Sequence, residues 1–193
     1  MHKSRLEAFS DGVLAIIITI MVLELKVPHT EHFRDLFEMW PIFLSYVLSF
    51  VFVGIYWHNH HHTFQAVEKV DGNVLWANTH LLFWLSLLPF ATGWMGENHF
   101  AHETVTLYSF VCLMAGFAYW ILIRHLLKLH GPHSLIARAM GKDVKGNLSF
   151  VIYLISTIAA YFGFTIVAFL CFASVSVMWF LPDRRIEKVL KES

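Results

Sequence analysis

Charge is what this sequence of 193 residues has least of: 15% of it is Asp, Glu, Lys or Arg, where a soluble domain carries about 25%. The 14 basic residues balance the 14 acidic ones, so net charge gives no argument for a nucleic-acid partner. The two cysteines, Cys112 and Cys171, sit inside apolar runs and do not make a disulfide scaffold. With 10 glycines and 5 prolines, a collagen-like or mucin-like chain is excluded. Gly-rich phosphate loops, GxSxG and HExxH are missing, so nothing indicates an enzyme or a bound cofactor. Present instead is 57% apolar residues, too many for disorder. The composition is that of an all-α integral membrane protein with a single domain over 1–193.

The gaps between charges locate the spans. No Asp, Glu, Lys or Arg occurs from Met39 to Val67, Gly72 to Gly96, Thr104 to Ile123, or Gly146 to Pro182. The first three each accommodate one helix of about 20 residues across a hydrocarbon core of about 30 Å. The fourth holds 37 residues, about 55 Å as one helix, so it reads as two short passes reversing near Tyr161-Phe162-Gly163-Phe164. A further apolar run, Gly12 to Leu23, is bounded by Asp11 and Glu24. Its flanking acids and lack of a small-residue cleavage site argue against a signal peptide. It reads as a helix whose charged ends are shielded by other helices or face water. Six transmembrane helices are therefore expected, over about 5–26, 36–58, 74–95, 104–126, 147–161 and 164–182.

With the N-terminus inside, twelve Lys and Arg fall on the cytoplasmic side: Lys3, Arg5, Lys69, Arg124, Lys128, Arg138, Lys142, Lys145, Arg184, Arg185, Lys188 and Lys191. Only Lys26 and Arg34 fall outside. This bias places both termini in the cytoplasm of a multi-pass cell-membrane protein, in a bacterium the inner membrane. Between the fourth and fifth helices, His130-Gly131-Pro132-His133 is a turn signal, and Ser134 to Met140 reads as a short interfacial helix.

Two groups of side chains suggest chemistry. In His58-Asn59-His60-His61-His62, helical spacing puts His58 and His62 on one face, as two metal ligands would be. No carboxylate or cysteine stands nearby in sequence to complete a set, and interfacial hydrogen bonding is the plainer reading. The second group is Arg5-Leu-Glu-Ala-Phe9-Ser10-Asp11 followed by an aliphatic run to Ile16 and beyond. Arg5 and Asp11 read alone as an interfacial ion pair. Ile16, Thr19, Ile20 and Leu23 recur at i, i+3, i+4 and i+7 and share one stripe, which in a membrane helix is ordinarily packing.

The pattern R-x-x-x-F-S-D resembles the potassium-channel family typified by lysosomal transmembrane protein 175, in its single-repeat bacterial form. Trp57-x-x-His60 and Leu87-Leu88-Pro89-Phe90 fit the same family, and the resemblance covers the whole chain. It implies a potassium-permeable cation channel without a TVGYG-type carbonyl filter, and no such loop is present. It further implies a homotetramer in the lipid bilayer, with helix one central and lining the pore and potassium as the permeant ion. By alignment to the motif, Ile16 matches a hydrophobic constriction, Thr19 a polar position one turn on, and Leu23 the next apolar layer, with Ile20 on the same face. Arg5, Phe9, Ser10 and Asp11 match a latch tying helix one to its neighbours near the cytoplasmic face, and Trp57 and His60 match a further structural motif at the end of helix two. A cation-coupled carrier of the same topology and a His-dependent metal-binding membrane protein are the alternative readings.

Overall fold

A computed structural model describes residues 2–28, 31–140 and 143–180. The charges at Lys142, Arg184, Arg185, Lys188 and Lys191, and with them the C-terminal orientation, lie outside the described residues. Those described form helices α1 (Lys3–Leu23), α2 (Phe33–Glu38), α3 (Trp40–Gln65), α4 (Gly72–Ser86), α5 (Leu88–Glu97), α6 (His102–His130), α7 (Leu135–Met140), α8 (Val144–Tyr161) and α9 (Thr165–Phe180).

Four segments are long and apolar enough to cross a membrane: α1, α3, Gly72–Glu97 and α6. The expectation of six spans therefore resolves into four long segments and a final pair of shorter helices. At 18 residues α8 is about 27 Å long, a little under the hydrocarbon thickness. The reversal after it is a Schellman turn. Gly163 takes φ +85°, its N–H bonds the carbonyl of Ala160 at 2.9 Å, and the Phe164 N–H reaches Ala159 at 2.8 Å.

Helix boundaries differ from the sequence expectation where local chemistry dictates. Pro41 sits in the first turn of α3, where its missing N–H costs no hydrogen bond. The helix starts at Trp40 rather than 36, and α2 stands as a separate turn before it. The α3 helix then continues to Gln65, carrying the whole histidine run. The third expected span is interrupted at Leu87, whose N–H turns back to Trp84 at 3.2 Å. Two residues later Pro89 supplies no N–H for the helical ladder. The Asp71 carboxylate caps α4 by accepting the Val74 N–H at 2.9 Å.

The helix with the most neighbours is α6, which packs against α4, α5, α7, α8 and α9. Its contact faces carry Cys112, Ala115 and Ala118, all fully buried, and small residues let helices approach closely where lipid removes the hydrophobic drive. The α3 and α5 helices cross closely. A Cβ at Gly96 would fall 2.8 Å from the Ile42 Cα and 2.5 Å from the Ser45 Oγ, so only glycine fits. Beside it Ser49 shares a 2.6 Å hydrogen bond with Thr92 and donates to the Tyr108 hydroxyl at 3.1 Å, linking α3, α5 and α6. The first helix is not ringed by the others within one chain. It packs on α3, α4 and α5 and leaves its other side open, because its buried positions form a single stripe.

Candidate functional site on the first helix

That stripe is Leu6, Ser10, Leu14, Ile17 and Met21, spaced at three or four residues as one helical face requires. Its inner part is tied by polar contacts. The Ser10 hydroxyl donates to the Leu6 carbonyl at 2.9 Å and accepts from the Asn78 side-chain amide at 2.9 Å. The Asn78 carbonyl oxygen meets His60 Nε2 at 2.8 Å. Because the amide nitrogen of Asn78 is used on Ser10, its oxygen must accept, so His60 donates through Nε2–H. His60 stacks on Phe64 with centroids 4.5 Å apart. All three polar residues are buried, where an unpaired group would cost about 1–3 kcal/mol.

Two further contacts flank this chain. Trp57 donates its indole N–H to the Asp11 carboxylate at 3.1 Å. Lys3 donates to the carbonyls of Phe64 and Val67 at 2.7 and 2.9 Å, satisfying the C-terminal end of α3 with a cation. The arrangement differs from an Arg5–Asp11 ion pair. Asp11 takes the indole instead, and Arg5 is exposed with no ion pair among the described residues. Phe9 is likewise exposed. Asn78 and Lys3 were not singled out by the motif. Asn78 is a polar residue inside a charge-free span, which is the one signal that marks it.

On the opposite side of α1 lie Ile16, Thr19, Ile20 and Leu23, all exposed, Leu23 at 79%. The Thr19 hydroxyl turns back to the Ile16 carbonyl at 2.8 Å, which leaves its oxygen lone pairs available as acceptors. Beyond Leu23, a cavity of about 410 Å³ is bordered by Ile20, Glu24, Pro89, Phe90, Gly93 and Glu97. Lys26 pairs with Glu97 there, and the carboxylate holds its ammonium above the usual lysine range.

The histidine run splits. His60 belongs to the buried chain, while His58 and His62 meet through their Nε2 atoms at 2.9 Å. Among the described residues no group of three or more His, Cys, Asp or Glu gathers to hold a metal.

Comparison with known proteins decides the family. The profile described as the endosomal/lysosomal potassium channel TMEM175 matches residues 5–89. A potassium channel of Chryseobacterium sp. (strain P1-3) is 50% identical over 193 residues, covering 100% of both chains. The chain belongs to the TMEM175 family. Its fold matches the crystal structure of a lysosomal potassium-selective TMEM175 homolog from Chamaesiphon minutus with a TM-score of 0.81 at 27% identity, over 94% of this chain and 97% of that one. The human endosomal/lysosomal proton channel TMEM175 is 35% identical over 103 residues, 47% of this chain but 20% of its own length. TMEM175 proteins are multi-pass ion channels of the membrane, not enzymes.

Proposed function

We propose that the chain is a potassium-permeable channel subunit that assembles as a homotetramer, with α1 of each subunit lining one central pore. In this reading all six expected segments cross the cell membrane, the two shorter ones included, and the N-terminus is cytoplasmic. The observation that carries it is the division of α1 into two faces. Leu6, Ser10, Leu14, Ile17 and Met21 are buried in the chain, and Ile16, Thr19, Ile20 and Leu23 are left open. A full-length relative named as a potassium channel supports the choice of ion. Four Ile16 side chains around a fourfold axis make an apolar ring that a cation passes by shedding part of its hydration shell. Potassium sheds water more readily than sodium, and the Thr19 hydroxyls offer partial replacement one turn away.

The deciding experiment is planar-bilayer recording of the purified protein under opposed potassium, sodium and pH gradients. A channel of this kind gives unitary steps whose reversal follows potassium. Reversal that follows the pH gradient means a proton channel, and saturable flux without unitary steps means a carrier. Loss of function only on replacing His58 and His62 would instead favour the metal-binding reading.

A further inference from the structure

The short helix α2 has two unlike faces. Phe33, Leu36 and Phe37, with Trp40 at the start of α3, recur at i, i+3, i+4 and i+7 and form one stripe. Arg34, Asp35 and Glu38 occupy the opposite side. Phe33 is 79% exposed, Phe37 74%, Trp40 57% and Leu36 54%, and no residue of α2 is buried. Exposed apolar side chains continue along α3 as Phe43, Leu44 and Val47. That helix is one of the four segments long and apolar enough to cross a membrane, and Trp40 stands at the beginning of its charge-free run.

A helix of 6 residues does not hold itself together in water, and the His32 side chain makes no capping bond at its start. What stabilises α2 must therefore cover its apolar stripe. The charged side has its own surroundings. Arg34 Nε donates to the Glu38 carboxylate at 3.2 Å, and Asp35 and Glu38 border a space of about 460 Å³ shared with Lys26, Pro28 and Glu97 beyond the end of α1. The stripe carries none of the small or polar residues through which membrane helices pack on one another. It has instead the make-up of a surface held where headgroups meet acyl chains. Aromatic and aliphatic side chains lie on one side, charges on the other, and a tryptophan marks the end of a span.

We propose that α2 is a membrane-surface anchor, with Phe33, Leu36, Phe37 and Trp40 seated in the interfacial layer of the bilayer and Asp35 and Glu38 turned to the polar space at the end of α1. The stripe is covered by lipid, not by a second copy of the chain. This goes beyond the conduction reading and needs only that α3 spans the membrane. Because α2 stands between the end of α1 and the start of α3 in the chain, the anchor fixes the depth at which both helices meet the interface.

The test is photocrosslinking of the full-length protein in vesicles of phosphatidylethanolamine and phosphatidylglycerol, with Phe37→p-benzoylphenylalanine in one variant and Asp35→p-benzoylphenylalanine in another. On irradiation the group at Phe37 should attach to phospholipid, seen as a mass increase of one lipid on the chain, severalfold more often than the group at Asp35. The unmodified protein gives a second measurement that does not depend on either variant folding. A phosphatidylcholine with a diazirine close to its glycerol should mark Phe33, Leu36, Phe37 or Trp40, and one with the diazirine at the chain terminus should mark them severalfold less. Attachment of the Phe37 group to a second chain in place of lipid would assign the stripe to a subunit interface and overturn the anchor. Equal lipid yields at Phe37 and Asp35, no lipid adduct at Phe37, or equal marking by the two diazirine lipids would overturn it as well.

Discussion

The side-chain amide of Asn78 donates to the hydroxyl of Ser10 at 2.9 Å, joining a helix that lines one open face of the chain to one from its interior. With His60 on its other side, Asn78 is the middle of a three-helix chain that has no solvent to replace it. Asn78→Leu strands the Ser10 and His60 partners together, and the protein should lose about 1–3 kcal/mol of stability. Ser10→Ala should cost less, because Asn78 then loses only one of its bonds. Thermal unfolding in mild detergent measures both. An Asn78→Leu protein that melts with the wild type would remove the chain from the account of how α1 is held.

The bond from Trp57 to Asp11 crosses from α3 to α1 and is partly exposed, so its contribution is modest. A double-mutant cycle of Asp11→Ala with Trp57→Phe should give a coupling energy of about 0.5–1.5 kcal/mol. Arg5→Ala, at an exposed residue with no ion pair among those described, should add independently to either. Coupling between Arg5 and Asp11 as large as that between Trp57 and Asp11 would restore the ion pair that the geometry replaces.

Polarity at the proposed constriction should show in permeation. Ile16→Asn places an amide where the ring is apolar, so current should rise and sodium should pass. Thr19→Val removes the acceptors one turn away and should lower the potassium preference while leaving assembly intact. Reversal potentials in mixed potassium and sodium give both results. Unchanged permeability ratios in the two variants would take α1 out of the selectivity mechanism.

At the Leu23 end of α1, the Glu97 carboxylate holds the Lys26 ammonium above the usual lysine range. A lysine whose folded value lies above the usual 10.5 contributes its ion pair below that range for as long as Glu97 stays a carboxylate, and loses it as pH rises beyond that range. Stability should accordingly be insensitive to this pair from pH 5 to 9. Lys26→Gln instead leaves Glu24 and Glu97 uncompensated beside the cavity at the end of α1. Conductance in low potassium should increase, and the gain should vanish in molar salt, where the screening length is about 3 Å. A gain that persists in high salt would point to a change in pore shape.

Much of the fold is legible because lipid enforces a simple rule: charges cannot sit in the hydrocarbon, so their gaps outline the helices. Leu87 escapes that reading, since the chain stays apolar through the interruption and only Pro89 hints at it. The separate α2 escapes it too, because six residues with three exposed apolar side chains look like the start of the next span. The latch is half legible. Ser10, Asp11, Trp57 and His60 stand out by motif, but which of them meet depends on how α1, α3 and α4 are rotated, and that register is set by packing between residues 18 to 68 apart in sequence. Arg5 shows the limit: proximity in sequence suggested a partner that the helix geometry gives to an indole.

The polar ties of α1 are unevenly placed. Lys3, Ser10 and Asp11 are anchored within its first nine residues, whereas from Leu14 outward it rests on apolar contact and the exposed Lys26–Glu97 pair. The helix is thus a lever with its fulcrum at one end. Leu23 stands about 20 Å from Ser10, so a rocking of about 5° carries it sideways by about 2 Å. Ile16, about 9 Å from Ser10, travels less than half as far. In a fourfold assembly built on this helix, the mouth at Leu23 would breathe about twice as far as the narrow ring at Ile16.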